Sequence, residues 1–283
     1  MWILFGFISA FLLGIYEICK KKSVQDNSVL PVLCISMICS TLLLIPIAVP
    51  HIPSLDIKTH LLIFIKACMI LGSGLCSYYG IKNVPLTIAS PIGATRPMWV
   101  ILGAVIIFGE RLTIFQWCAI SLVTISFFVF STIGKKEKQS FNNKYILLVI
   151  AGMLLGAASG IYDKYLLRNI NRYAVQFYYA LEQAIMMLII VGFIWSGNKK
   201  ILKDFKWKWS IVGISLFWVA TDLAYFYALS QPDAMLSILS AIRRTGTIIP
   251  FMYGVFVMHD KNIVPKAIAL TGVLIGVIAL ALG

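Results

Sequence analysis

Several charged side chains fall inside stretches otherwise apolar enough to cross a bilayer, among them Glu17, Lys66, Arg96, Asp163, Lys164, Glu182, Asp222, Arg243 and Arg244. Each such group costs a few kcal/mol at the centre of a membrane helix, so it normally faces a wet cavity or an opposite charge and marks a solute or proton path. Arg96, Asp222 and Arg243 lie deep in their stretches. A guanidinium there can hold a carboxylate or a phosphate through paired N–H donors, and Asp222 or Glu182 can bind an amine or exchange a proton. Glu182 shares a helical face with Gln176, Tyr179, Gln183 and Met186, a polar stripe that fits either substrate choice or a structural pair with Arg243 or Arg244. Lys66 and Lys164 stand closer to span ends, where a lysine reaches the headgroups along its own stem.

These residues need a membrane scaffold. Of 283 residues, 60% are hydrophobic and 12% charged, more apolar surface than a soluble fold of this length buries. A span takes roughly 20 apolar residues, and ten such runs fit, near 2–19, 29–50, 60–81, 86–108, 112–133, 145–168, 173–196, 208–230, 234–258 and 264–282. An all-α, polytopic protein is expected. Lys20, Lys21 and Lys22 follow the first run rather than precede it, which predicts a retained helix and not a cleaved leader. The net charge of +13 gathers in the odd-numbered connections, chiefly Lys20–Lys22, Lys135–Lys144 and Lys199–Lys208. That distribution points to an orienting charge bias with both termini outside, and not to nucleic acid.

Enzyme chemistry finds little support. The histidines, His51, His60 and His259, stand at span ends without metal-ligand spacing, and the six cysteines form no C-x-x-C pair. No phosphate-binding Gly-rich loop followed by Lys occurs. Neither a metal nor another cofactor is expected.

The chain is written twice. Gly6, Ala10, Gly14, Ile15, Tyr16 and Glu17 recur as Gly152, Gly156, Gly160, Ile161, Tyr162 and Asp163, and Tyr78, Pro85 and Arg96 recur as Tyr225, Pro232 and Arg243. Residues 1–134 and 145–283 form two five-span repeats joined by a linker at 135–144. An odd number of spans puts the second repeat upside down in the membrane, and inverted repeats place a transport site near the midplane where the halves meet. Arg96 and Arg243 are expected to converge there, with Glu17 and Asp163 at opposite mouths. Pro91 and Pro97 flank Arg96, while Gly246 and Pro250 follow Arg243; interrupted helices at matching places are a pointer to such a site. The repeating Tyr16, Tyr78, Tyr162 and Tyr225 are candidate cavity walls. Trp207, Trp209, Trp99 and Trp218 read as belt or packing residues.

Ten short spans in two repeats, the Phe108-Gly109-Glu110-Arg111 turn closing span four and the Pro85 turn before it together resemble EamA-like transporters of the drug/metabolite transporter superfamily. Met258-His259-Asp260-Lys261 departs from that pattern in the second half. The resemblance implies a central cavity lined by spans one, three, four, six, eight and nine. It does not name a cargo, because fold alone does not. The expected function is secondary active transport of a small polar or zwitterionic metabolite, such as an amino acid or a derivative, across a bacterial inner membrane by alternating access. Site residues are Tyr16, Glu17, Tyr78, Arg96, Tyr162, Asp163, Glu182, Asp222, Tyr225 and Arg243. Partners are the small-molecule substrate, membrane lipids and a possible coupling proton, in a monomer or homodimer. An organic-cation or drug–proton antiporter, and an intramembrane lipid-handling enzyme, stand as alternatives.

Overall fold

The computed structural model describes residues 1–24, 27–52, 55–83, 92, 95–132, 143–197, 205–257 and 263–282. Every apolar run carries helix, and no strand occurs among the described residues. The helices are α1 (Trp2–Val24), α2 (Val29–Ala48, ending in a short turn Val49–His51), α3 (Ile57–Asn83), α4 (Arg96–Phe108), α5 (Ile114–Thr132), α6 (Asn143–Asn169), α7 (Arg172–Gly197) and α8 (Ser210–Leu229). Span nine is broken: α9 (Leu236–Ile242) gives way to a tighter 3-10 segment at Arg243–Thr247, then α10 (Ile248–Phe256), and α11 (Ile263–Leu282) follows. Gly246 lies within that break and Pro250 in the first turn of α10, where a proline's missing N–H costs nothing.

Among the described residues six helices are long and apolar enough to cross a membrane unaided: 2–20, 29–51, 57–76, 145–169, 172–196 and 210–229. Shorter apolar helices run over 96–108, 114–126 and 267–280. The protein is therefore an integral, multi-pass membrane protein, and many of its Leu, Ile and Phe side chains are exposed on the outside of the helices. The linker at 135–144 falls largely outside the described residues, as do Pro85, Pro91 and the Met258–Lys261 stretch.

Helix pairing sets the interior. Helix α1 packs along α8 and against span nine, α3 along α6, and α6 against α4. Helix α2 meets α7 and α8, α3 meets α7, and α5 pairs with α11 at the periphery. Small residues make the closest of these approaches possible. A Cβ added to Gly14 would lie 2.5 Å from the Gly246 carbonyl oxygen and 2.7 Å from Ile249 Cβ, so α1 and span nine touch backbone to backbone. On α6, a Cβ at Gly156 would lie 2.9 Å from both Arg96 Cζ and Ser73 Oγ. Because backbone cannot yield as a side chain can, Gly14→Val is expected to cost about 3 kcal/mol, read as a lowered melting temperature in detergent. An unchanged melting temperature would mean that this contact does not exist.

Candidate functional site

At the centre of the helices lies a cavity of about 550 Å³, a size that suits a small organic solute. Its walls come from α1, α2, α3, α4, α6, α7, α8 and span nine. The resemblance implied six of these; α2 and α7 are additions, contributing Ser36, Ser40 and Met37, and Gln183 and Met187.

Both arginines of the repeat reach this space. Arg96 opens α4 as its first helical residue, with Pro97 behind it. Its Nη2 donates to the Gly156 carbonyl at 2.6 Å, a bond that the missing Gly156 side chain permits. Arg243 stands where α9 becomes the 3-10 segment. Its guanidinium lies 4.1 Å from the centroid of the Tyr225 ring, and its buried Nε has no hydrogen-bond partner among the described residues.

The acids are arranged differently. Glu17 is at the rim, with its side chain 46% exposed and 3.7 Å from Lys20. Asp163 is not at an opposite mouth, contrary to expectation. Helix α6 continues past it to Asn169, which leaves Asp163 buried and ion-paired with Lys66 of α3. Lys66 is only 1% exposed; its Nζ lies 4.6 Å from the Tyr179 ring centroid and 5.2 Å from that of Phe226. It does not snorkel, because the α3–α6 contact offers a carboxylate and two aromatic faces at its own depth. Asp222 of α8 is also buried and accepts the Tyr179 hydroxyl hydrogen bond.

Other expectations are corrected by the packing. Tyr16 and Tyr225 line the cavity, and so does Trp218, which the sequence assigned to belt or packing; Trp218 and Tyr16 have ring centroids 5.1 Å apart. Tyr162 does not line it: its hydroxyl donates to the Leu62 carbonyl at 3.2 Å and its ring stacks on Tyr165. Tyr78 belongs to α3, but its side chain falls outside the described residues. Glu182 does not line the cavity either. Its neighbour Gln183 does, and no Glu182 ion pair with Arg243 or Arg244 occurs among the described residues. The face centred on Tyr179 is otherwise inward-directed, with Gln176 Nε2 donating to the Val219 carbonyl at 3.1 Å.

The end of the cavity away from Glu17 is tied by Glu110. Helix α4 ends at Gly109, whose φ of 65° is open to glycine at no steric cost, and the turn aims Glu110 at the start of α9. The carboxylate accepts the Leu236 N–H at 2.7 Å, the Ser237 N–H at 3.1 Å and the Ser237 hydroxyl. It thereby satisfies donors that a helix start leaves open. Lys164 of α6 completes the cluster, donating to Glu110 Oε1 at 2.6 Å and to the Ala234 carbonyl at 2.9 Å. Burial alone would raise the Glu110 carboxyl, but the hydrogen bonds from Lys164 and Ser237, with the Lys164 charge, hold it below the usual carboxylate range. Lys164, like Lys66, is buried and paired instead of snorkelling. Sequence reasoning missed this cluster; the Phe-Gly-Glu-Arg turn was its one local signal.

Residues 1–132 match the EamA-like transporter family, which is part of the drug/metabolite transporter superfamily. A protein of Archaeoglobus fulgidus described as an uncharacterized transporter is 26% identical over 141 residues, which is 49% of this chain and 51% of that protein. The chain thus spans about half the length of the curated relative it matches. One crystal structure covers 99% of this chain and 96% of its own with a TM-score of 0.76 at 13% identity, a likeness of fold alone.

Proposed function

We propose that this chain, whose first 132 residues match the EamA-like transporter family, is a secondary active transporter that carries a small polar metabolite through the central cavity by alternating access. The observation that carries the reading is the charge of the cavity wall: Lys20, Lys66, Arg96, Arg243 and Arg244 against Glu17, Asp163 and Asp222. Such charges inside a membrane protein are expensive unless a solute path requires them. Arg96 and Arg243 hold the anionic group of the cargo, and Tyr16, Trp218 and Tyr225 enclose its body.

The pairing of helices supports two inverted repeats, 1–134 and 145–283. Exchanging the halves converts α1–α8 into α6–α3, α2–α8 into α7–α3, and α1–span nine into α6–α4, and each of these pairs packs. Transport then consists of rocking one half against the other around the arginines. With the basic connections on the cytoplasmic face of a bacterial inner membrane, the rim at Glu17 and Lys20 opens inward and the Glu110 cluster closes the outer end. That orientation predicts that tags on either terminus are labelled in intact cells.

Arg243→Gln, in protein reconstituted into proteoliposomes, is expected to cut uptake roughly tenfold or more, in line with the loss of a charge-assisted contact, while leaving the helical content unchanged. If Arg243→Gln and Asp222→Asn both transport at the rate of the parent protein, the assignment of this cavity fails. The cargo for that assay comes from a thermal-shift screen of the purified protein against metabolites.

A further inference from the structure

We infer that the cavity selects an organic anion that bears no ammonium group, and that Lys66 sets this preference through Asp163; the inference rests on the transporter reading and narrows its cargo. An amine-bearing solute entering a water-poor cavity needs a carboxylate to receive it. The acids on this wall are engaged by the chain itself. Asp163 is ion-paired with Lys66, whose ammonium lies against the Tyr179 and Phe226 rings. That is the arrangement a site uses to hold a ligand cation, and Lys66 already fills it. Asp222 accepts the Tyr179 hydroxyl, and Glu17 faces Lys20 at the rim.

The cations have capacity left. A guanidinium carries five N–H donors. Arg243 lies over the Tyr225 ring and has a buried Nε with no partner among the described residues, while the Gly156 carbonyl takes one donor of Arg96. An anion entering between the two arginines gains donors and an excess of positive charge. An ammonium on the same molecule would meet Lys66 as a like charge, which is the repulsive element that specificity requires. The chemistry fits a carboxylate or a phosphate ester.

The test offers the purified protein, in detergent and in proteoliposomes, matched probes that differ chiefly by the amine. These are 4-methyl-2-oxopentanoate against leucine for the carboxylate, and glycerol 3-phosphate against O-phosphoethanolamine for the phosphate. The parent protein is expected to bind the amine-free member of at least one pair roughly tenfold or more tightly, and the responding pair identifies the anion. Lys66→Met leaves Asp163 facing the cargo and is expected to erase or reverse the order, so that the amine-bearing probe raises its melting temperature. A purely structural role for Lys66 would not move selectivity in that direction. Lys66→Met/Asp163→Asn removes both charges, guards against a poorly folded single variant, and keeps the parent order. Equal or tighter binding of leucine and O-phosphoethanolamine by the parent protein, or no thermal response to any of the four probes, overturns the inference. Preferential binding of an amine-free probe that never crosses the proteoliposome membrane supports the preference and sinks the transporter reading instead.

Discussion

Lys66→Ala is expected to lower stability by about 3–5 kcal/mol, the range found when one partner of a buried ion pair is removed. The side chain is 1% exposed and its counter-ion Asp163 is 7% exposed, so little water reaches either charge when the other is lost. Truncation also removes a buried side chain whose ammonium rests against Tyr179 and Phe226, adding a cavity cost of the same sign. Asp163→Ala is expected to do equal harm by stranding the ammonium. The double change Lys66→Met/Asp163→Leu is expected to recover most of the loss, because well-packed apolar side chains replace a buried pair at little cost. A double-mutant cycle on thermal unfolding in detergent reads the coupling directly. Additive single losses would mean that the two side chains do not share one interaction.

That pair also marks where sequence reasoning stops. The apolar runs, the repeated arginines and the break beside Arg243 are local signals: a hydropathy period, a recurrence, and a Gly246/Pro250 spacing that helix geometry resists. They reappear as the helices α1 to α11, as two guanidinium groups on one cavity, and as the 3-10 segment at Arg243–Thr247. Lys66 and Lys164 carry no such signal. Whether a lysine snorkels or pairs is decided by which helix packs beside it, and the partners Asp163 and Glu110 lie 97 and 54 residues away in sequence. The polar stripe of α7 was visible as a period, but one helical step of rotation separates Gln183, which lines the cavity, from Glu182, which does not. Only the packing of α7 on α2 and α3 fixes that rotation. Trp218 was misassigned for the same reason, since an indole suits a belt and a cavity wall equally well until its neighbour Tyr16 is in place.

Glu110→Gln is expected to cost about 3 kcal/mol, at the lower end for a broken buried pair, because the amide can still accept one of the Leu236 and Ser237 N–H bonds while Lys164 loses its counter-charge. The parent protein is expected to differ from the variant in its acid limb as well. Because the folded-state carboxyl is held below its unfolded value, the Glu110 contribution is fully present above the unfolded pKa, about 4.3. It is lost as pH falls through the depressed folded value. Melting temperatures followed from pH 7 downward are therefore expected to fall more steeply for the parent protein than for Glu110→Gln below about pH 4.3, with the two curves converging. Parallel curves would show that Glu110 holds no ionised pair. The consequence reaches the cavity through one helix. Glu110 caps α9, and the same seven-residue helix ends where Ser240 and Arg243 meet the cavity. Loosening its first turn releases the element that aims Arg243, so Glu110→Gln is expected to weaken cargo binding although its side chain never touches the solute. Restoring binding by Glu110→Asp, a shorter carboxylate that can still receive Lys164, would tie that loss to the charge and not to the fold.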